Sequence, residues 1–548
     1  MSRPEPLRLV SVLAAFVAGI GLITLAKGGI FIGAHEADAF HLMDVLFRMQ
    51  AGLQPHRDFV TPLGIFSLWP MVLFMNLGFG VGTAIMLGQI LVAVLLLPAV
   101  AYASCSRLPP ALAYAFGIGT LWLVLALTYG TSDAGISVSM HYNRWSWSIT
   151  FIVLALALLP AARQRPALDG ALIGAGMAAL AMIKMTYFVA LTPGVLLAVA
   201  TVQTRRAVGF ALVAGLAVAA AVTVVQGLDF WFAYAADLVN VAGSQIRPNT
   251  GVDLNELLIG PPYIGAVIAG VAAIVLLNNA GAAVQSRALA LLLPGFIFIT
   301  YQNSGNDPLW LLLLVVVMLT VRPAPGAKTH WGIDCNLSLT MLAVASFALI
   351  LPVAVNLAVS PLHNLTAQSA DYQPMLPAIS GRSDVFVNTV RANTMNADVR
   401  LDLPGTIWAK YASKAGREPG LEFQGIAFPQ CELAAGSVAW FTEISADLAA
   451  AGVPAGSQLF PADNLAAFWL FGPFAPLEKG APWYYGGLSG VENADYVLIP
   501  KCPFVDRHRR IIVDELKEAG TPLTLVRETP DYALFATAQA PKNAPIKR

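Results

Sequence analysis

Long apolar segments recur through the first two thirds of this chain, and they limit its fold more than any other feature. Hydropathy marks twelve of them: Leu9 to Ile32, Leu63 to Phe79, Val81 to Ser104, Ala111 to Thr128, Trp145 to Ala161, Gly170 to Ile183, Tyr187 to Val202, Val208 to Val225, Tyr263 to Leu277, Ala288 to Thr300, Leu309 to Val321 and Leu337 to Val359. Charged residues make up 12% of the chain, whereas soluble domains carry about 25%. The sequence therefore predicts an α-helical polytopic membrane protein.

The lysines and arginines between these segments test how many of them cross the membrane. The positive-inside rule places their clusters in the cytoplasm: Arg3/Arg8, Arg107, Arg163/Arg165, Arg205/Arg206, Arg287 and Arg322/Lys328. These basic clusters cannot all lie in the cytoplasm if all twelve segments cross the membrane. Leu63 to Phe79 contains Pro70 and runs into the glycine-rich GFGVG, so we expect it to lie along the membrane or re-enter it. Eleven spans remain, with a cytoplasmic N-terminus and a periplasmic C-terminal part.

The chain changes character after the last apolar segment. Strand-like runs such as YVLIP (Tyr496 to Pro500) flank a helix-like DRHRRIIVDELKEAG, and no stretch is apolar enough to span a membrane. We therefore predict a transmembrane domain over 1–359 and a soluble periplasmic α/β domain over 360–548. Cys431 and Cys502 fall in the second domain, where an oxidising compartment permits a disulfide between them. Two free buried thiols are the alternative.

Polar residues crowd the first outer loop, 33–80, directly after the first apolar segment. In GAHEADAFHLMDVLFRMQAG, the residues Asp38, His41, Asp44 and Arg48 share one face of a helix. This pattern predicts an interfacial amphipathic helix with its polar face outward, and such a stripe is often merely solvated. Capping the helix requires only one carboxylate, and both Glu36 and Asp38 lie at its start.

Basic residues also lie on the predicted outer side, which the positive-inside bias depletes: Lys27, Arg57, Arg144, Lys184 and Arg247. A cation at mid-depth in the membrane costs about 2.5 to 3.5 kcal/mol on insertion scales, although snorkelling accommodates any single one of them. Five such groups predict an anionic ligand at the outer leaflet, for which a lipid-linked phosphate is well suited.

These features together resemble a known family. The loop carries the pattern G..P..DF..P.G, formed by Gly52, Pro55, Asp58, Phe59, Pro62 and Gly64, and GMAALAMIKM follows later. With the acidic first loop and the membrane-lying segment, they resemble the GT-C glycosyltransferases, most closely the bacterial relatives of the aminoarabinose transferase and the protein mannosyltransferases. The resemblance implies an inner-membrane enzyme that moves a hexose or pentose, with inversion, from a polyprenyl-phosphate donor to a glycan, lipid or protein acceptor.

The resemblance also implies roles for particular residues. In the family, an acidic residue of the first outer loop is the catalytic base. Here it corresponds to Asp38, or to Glu36, because this chain has Glu-Ala-Asp where many members have adjacent Asp-Glu. Independently of the resemblance, the charge, chemistry and position of the outer-side residues make the following the expected substrate-binding residues: Lys27, His41, His56, Arg57, Asp58, Tyr142, Asn143, Arg144, Lys184 and Arg247.

Other interpretations stay open from the sequence. His35, His41 and His56 with Glu36 and Asp38 are a candidate site for a divalent metal, although histidines without fixed spacing are more often solvated. The aromatic residues of HYNRWSW either stack on a sugar or form an interfacial belt. No other cofactor is indicated. The zero net charge and scattered basic residues argue against nucleic acid as a partner.

Two further functions compete with glycosyl transfer. A transporter or flippase for a lipid-linked or anionic solute would use intramembrane lysines, but the sequence shows no repeats typical of transporters. A scaffold that only presents the C-terminal domain would leave Glu36 and Asp38 without a task.

Overall fold

The computed structural model describes residues 4–131, 134–244, 246, 254–302, 307–379, 381–399, 401–402, 405–411, 420–541 and 546–547. The helices are α1 (Pro6–Leu25), α2 (Glu36–Gln50), α3 (Trp69–Asn76), α4 (Val81–Arg107), α5 (Pro110–Leu125), α6 (His141–Leu158), α7 (Pro166–Ile183), α8 (Met185–Val202), α9 (Arg205–Gln226), α10 (Asp229–Gly243), α11 (Leu254–Ile259), α12 (Pro261–Asn279), α13 (Ala283–Gln302), α14 (Trp310–Val321), α15 (Cys335–Thr366), α16 (Thr389–Asn393), α17 (Ser437–Ala450) and α18 (Asp506–Glu518). The strands are β1 (Ile30–Ile32), β2 (Tyr372–Pro374), β3 (Val385–Asn388), β4 (Asn396–Val399), β5 (Leu421–Phe423), β6 (Ile426–Phe428), β7 (Cys431–Ala435), β8 (Leu459–Pro461), β9 (Tyr496–Pro500), β10 (Thr524–Glu528) and β11 (Tyr532–Ala536).

Each of the eleven predicted spans coincides with a helix. Within the described residues, eight helices are long and apolar enough to cross a membrane, and α5 and α14 are shorter apolar helices. The remaining one, α6, is more polar because it lies at the centre of the bundle, where Ser146, Ser148 and Thr150 are fully buried. The multi-pass helical architecture is thus confirmed, while the sidedness of the termini stays a prediction.

The segment Leu63 to Phe79 does not form a membrane-crossing helix. It folds as a short 3-10 turn, Ile65–Ser67, followed by α3. The eight residues of α3 extend only about 12 Å at 1.5 Å per residue, which is far short of the ~30 Å hydrocarbon core. Its interruption agrees with the prediction of a segment that fails to span.

The C-terminal part contains the predicted mixture of helices and small sheets. Its largest sheet has the strand order β10-β11-β9-β8, with β8 and β9 parallel and the other pairs antiparallel. Cys431 and Cys502 form a disulfide that links β7 to the chain just beyond β9, with 4.8 Å between the Cα atoms. The α/β character and the disulfide are confirmed. The boundary at 359/360 stays a prediction.

A second sheet attaches the C-terminal part to the first loop. Its order is β1-β3-β2, and β1 pairs in parallel with β3, with Ile30 opposite Val385. This pairing joins residues 355 positions apart and places the C-terminal part directly over the loop that follows α1.

The prediction that α2 is an interfacial helix with an outward polar face is wrong. Asp44 and Arg48 are fully buried, and their side chains form an ion pair of 2.5 Å. Arg48 also donates a hydrogen bond to the Leu477 carbonyl at 2.8 Å, and its guanidinium lies 5.6 Å from the Trp469 ring centre. Asp44 and Arg48 of the stripe are buried because the C-terminal part covers this end of α2, whereas Asp38 and His41 are half-buried.

Candidate functional site

The first turn of α2 lies partly outside the core. His35 adopts the left-handed conformation with φ of 61°, which turns the chain from β1 into the helix. Glu36 and Asp38 follow in the first turn, where the helix dipole favours negative charge. Residues 33–38 and His41 are half-buried, whereas the other residues from 39 to 48 are buried. Within its first six residues, α2 therefore presents the polar side chains of Glu36, Asp38 and His41 outside the core.

Glu36 is held by a cation from the C-terminal part. Arg391 of α16 donates from Nε to Oε1 at 2.5 Å and from a terminal nitrogen to Oε2 at 2.8 Å. Burial raises the pKa of Glu36, but the hydrogen bonds and charge of Arg391 outweigh it, so the net pKa is lowered. Glu36 is consequently an ionised carboxylate with both oxygens engaged, which makes it a poor proton acceptor.

Asp38 and His41 lie three residues apart on one face of α2, a spacing that brings side chains together. His41 Nε2 lies 3.2 Å from the Tyr485 hydroxyl, and its ring packs edge-on against Trp483 with 5.6 Å between ring centres. Tyr485 and Trp483 come from the C-terminal part. This part therefore supplies an aromatic wall beside His41, three residues after the half-buried Asp38.

The loop before α6 forms the next side of the site. His35 stacks on Tyr129 with 4.5 Å between ring centres, and its Nδ1 lies 3.2 Å from the Ser137 hydroxyl. Arg144 is fully buried beneath this loop and donates to the carbonyls of Ala126 at 2.9 Å and Ser139 at 3.2 Å. Arg144 thus stabilises the loop from inside.

Lys184 interrupts the helix pair at the predicted basic position. It has extended backbone angles, φ −154° and ψ 109°, and it separates α7 from α8. Its ammonium donates to Asn143 Oδ1 at 3.2 Å and lies 5.0 Å from the centre of the Tyr142 ring. The structure therefore brings together Tyr142, Asn143 and Lys184, three of the residues expected to bind substrate.

One short stretch of chain contacts both the residue before Glu36 and the lysine at the break between α7 and α8. Ser137 contacts His35, and Asn143 contacts Lys184. Six residues of fully extended chain cover roughly 20 Å, and residues from His141 onward are already helical. The Cα atoms of Ser137, which contacts His35, and Asn143, which contacts Lys184, are therefore less than about 20 Å apart.

The other expected substrate-binding residues have protein partners that fix the first loop. Lys27 donates to the Ala367 carbonyl at 2.5 Å. His56 Nδ1 lies 2.8 Å from Asp237 on α10, and Asp58 accepts a hydrogen bond of 2.7 Å from the Gln54 backbone.

Arg57 makes a second connection from the first loop to α10. It pairs with Asp229 at 2.5 Å and donates to the Gln226 carbonyl. Arg247 lies outside the described residues.

The three histidines of the candidate metal site have separate partners: His35 contacts Ser137, His41 contacts Tyr485, and His56 contacts Asp237. Across the part of the chain that the structure describes, no three His, Cys, Asp or Glu side chains are grouped closely enough to hold a metal ion. A divalent metal stays a prediction.

The loop motif that carried the family resemblance has structural tasks. Gly52, with φ of 93°, ends α2, and Phe59 is buried with its ring centre 5.8 Å from the Arg48 guanidinium. Gly64 donates to the Ile183 carbonyl at 3.0 Å, immediately before Lys184. Sequence reasoning identified the motif but missed Arg391 and Tyr485, for which no local signal exists.

Gly64→Ala is expected to disturb the support beneath Lys184. A Cβ at this position would lie 2.1 Å from the Met182 carbonyl oxygen, and overpacking of this kind typically costs about 1–3 kcal/mol. The thermal midpoint of the purified chain in detergent should therefore fall. Gly119→Ala on α5 is the matched control, because a Cβ there meets nothing within 4 Å. Equal midpoints for the two variants would contradict the close approach.

Comparison with known proteins gives a loose structural likeness. No family model matches this chain, and no curated protein matches it. Among solved structures, the chain is similar to ArnT from Cupriavidus metallidurans in the apo state, with a TM-score of 0.35 and 11% identity over 96% of this chain and 98% of that one. It is also similar to the same protein bound to undecaprenyl phosphate, with a TM-score of 0.35 and 12% identity over 97% and 99% of the chains.

The likeness extends over nearly the whole of both chains. A TM-score of 0.35 at this identity assigns no activity by itself. The contacts around α2 and Lys184 must carry any functional conclusion.

Proposed function

We propose that this chain transfers a sugar from a polyprenyl-phosphate carrier to an acceptor at the periplasmic face of the membrane. The two carboxylates in the first turn of α2, and the pairing of one of them with Arg391, carry this proposal. Arg391 engages both oxygens of Glu36, and Asp38 lies half-buried two residues further along the same turn. A carboxylate held by a cation is a poor proton acceptor, so Asp38 is the better candidate for the base.

Asp38 acts as the general base. A sugar or lipid hydroxyl is a weak nucleophile, so a carboxylate within hydrogen-bond reach removes its proton as the bond to the anomeric carbon forms. Glu36 is a positioning residue, since its pairing with Arg391 fixes the first turn of α2 and hence the direction of Asp38. Inversion at the anomeric carbon follows if the acceptor attacks opposite the leaving phosphate.

Lys184 meets the charge of the departing lipid phosphate. It lies at a break between two membrane helices, where the chain is extended and the ammonium is half-buried. Fixed cations placed where negative charge develops lower the barrier strongly in such partly desolvated sites. Asn143 and Tyr142 hold the ammonium in place from α6.

Transport of an anionic lipid is the competing function, because a lysine at a broken helix also suits a transporter. The two functions differ in their product. A transferase makes a new glycosidic bond and releases polyprenyl phosphate, whereas a transporter returns the carrier-linked sugar unchanged.

Lys184→Met is expected to reduce sugar transfer by about 10²-fold, the usual effect of losing one electrostatic contact to a developing anion. The measurement is label transfer from radiolabelled polyprenyl-phosphate sugars into cell-envelope fractions. Lys328→Met is the matched control, since Lys328 is an exposed lysine distant in sequence from the site. Unchanged transfer by Lys184→Met would remove this residue from the mechanism. Movement of labelled carrier without a new glycosidic bond would favour transport.

A further inference from the structure

An exposed apolar surface in the C-terminal part has no task in the proposed reaction. After Thr366, the described residues include eight exposed large hydrophobic side chains, and seven lie between 390 and 411: Val390, Met395, Val399, Leu401, Ile407, Trp408 and Tyr411. We name the described residues from Val390 to Tyr411 the apolar arm. Such concentration of apolar side chains on a water-exposed surface usually marks an interaction site.

The first part of the apolar arm is attached to the rest of the fold. Its strand β4 pairs antiparallel with β7, and Val399 lies opposite Cys431. Cys431 is in turn joined by the disulfide to Cys502, beyond the end of β9. The base of the arm is therefore attached to the largest sheet of the C-terminal part, although all four residues of β4 remain exposed.

The chain that enters the arm is attached to the ends of two membrane helices. The Asp384 carboxylate accepts hydrogen bonds from the backbone of Gly82 at 2.5 Å and Thr83 at 2.8 Å, in the first turn of α4. Its carbonyl accepts a hydrogen bond of 3.0 Å from Ile30, which follows the end of α1 by five residues. The arm therefore begins six residues beyond a point fixed at the membrane surface.

The side chains of the arm are those found at the boundary between lipid and water. Trp408 and Tyr411 have amphipathic rings that favour the headgroup level, and Ile407 is 77% exposed. Lys410 lies with its ammonium 5.0 Å from the Tyr411 ring centre. Aromatic and aliphatic groups beside a lysine suit the boundary between lipid and water.

We propose that the apolar arm inserts its exposed side chains into the outer leaflet of the bilayer. The attachment of Asp384 to α4 makes the leaflet the apolar phase nearest to the root of the arm. Because Arg391 lies on α16 within the arm and pairs with Glu36, lipid insertion also steadies the C-terminal part over the first turn of α2. The exposed apolar side chains of the arm, unlike Arg391, take no part in the chemistry assigned to Asp38 and Lys184.

Fluorescence quenching in liposomes tests the insertion. The full chain, with Cys105→Ala and Cys335→Ala, carries one environment-sensitive label at Ile407→Cys or, separately, at Tyr411→Cys. The control label is at Glu443→Cys, an exposed position on α17. In vesicles of phosphatidylethanolamine and phosphatidylglycerol, spin-labelled lipid should quench the arm labels several-fold more than the control, and aqueous iodide should quench them several-fold less.

Two outcomes overturn the proposal. The first is quenching of both arm labels by iodide as strong as that of the control label. The second is protection from iodide that is lost when the chains are diluted to one per vesicle, which would assign the surface to a second copy of the chain. Since neither readout depends on sugar transfer, failure of the proposed function leaves this test intact.

Discussion

Asp38→Asn is expected to reduce sugar transfer by about 10²–10⁴-fold, the range that a positioned general base contributes. The substitution keeps the size and hydrogen-bonding capacity of the side chain but removes the proton acceptor. The measurement compares label transfer from polyprenyl-phosphate sugar into envelope fractions by the wild type and the variant, at equal amounts of inserted protein.

Glu36→Gln separates the base from the positioning residue. This variant keeps one acceptor for Arg391, so we expect a smaller loss than for Asp38→Asn. The Glu36 pKa is lowered by Arg391 against the effect of burial, so the pairing stabilises the fold fully above the ordinary pKa of a glutamate. That contribution is lost as the pH falls through the lowered pKa. Glu36→Gln should therefore flatten the acid side of the stability profile.

Glu443→Gln is the matched control for both variants, because it removes an exposed carboxylate on α17. If Glu36→Gln abolished transfer while Asp38→Asn transferred sugar normally, Glu36 would be the base and Asp38 the positioning residue. Normal transfer in both variants would refute a first-loop carboxylate as the base. Either result requires that the variants remain inserted and folded.

The membrane helices could be predicted from sequence because their signal is local. An apolar run forms a helix in lipid whatever lies elsewhere in the chain, since its backbone groups must be satisfied within the segment. The interrupted segment before α4 was recognisable for the same reason, through Pro70 and the charge distribution on either side. For Cys431 and Cys502 the sequence left two alternatives, a disulfide or two free thiols, because the spacing of cysteines does not determine their pairing.

The site could be predicted only in part, because its partners are distant in sequence. Arg391 reaches Glu36 across 355 residues, and Tyr485 reaches His41 across 444. The local pattern therefore located the polar turn of α2 but gave no information about what surrounds it. Arg144 shows the same limit, because the sequence does not reveal the buried carbonyls that accept its hydrogen bonds.

The stripe on α2 was misinterpreted for a related reason. Helical periodicity indicates which residues share a face, but it does not indicate whether that face meets water or protein. Asp44 and Arg48 meet protein, and their burial makes them far more consequential for stability than a solvated pair would be.

Arg48→Ala is accordingly expected to destabilise the contact between α2 and the C-terminal part by about 3–5 kcal/mol, because it leaves a buried carboxylate without its cation. It also removes the hydrogen bond to the Leu477 carbonyl and the contacts with the Phe59 and Trp469 rings. Thermal unfolding in detergent, together with protease protection of the region after Thr366, measures this loss. Lys517→Ala on α18 is the control, since its ion pair is solvent-exposed.

The pH dependence of stability shows whether Arg48→Ala destabilises the protein by leaving the buried Asp44 charge unpaired or by removing packing contacts. Burial raises the pKa of Asp44 even with Arg48 present, and removal of the cation should raise it further. A carboxyl with a raised pKa binds its proton more tightly in the folded state, so stability falls as the pH rises between the unfolded and folded values. Arg48→Ala should therefore regain stability on acidification, and Asp44→Leu combined with Arg48→Met should remove that dependence. A pH-independent loss in Arg48→Ala would instead assign its effect to packing against Phe59 and Trp469.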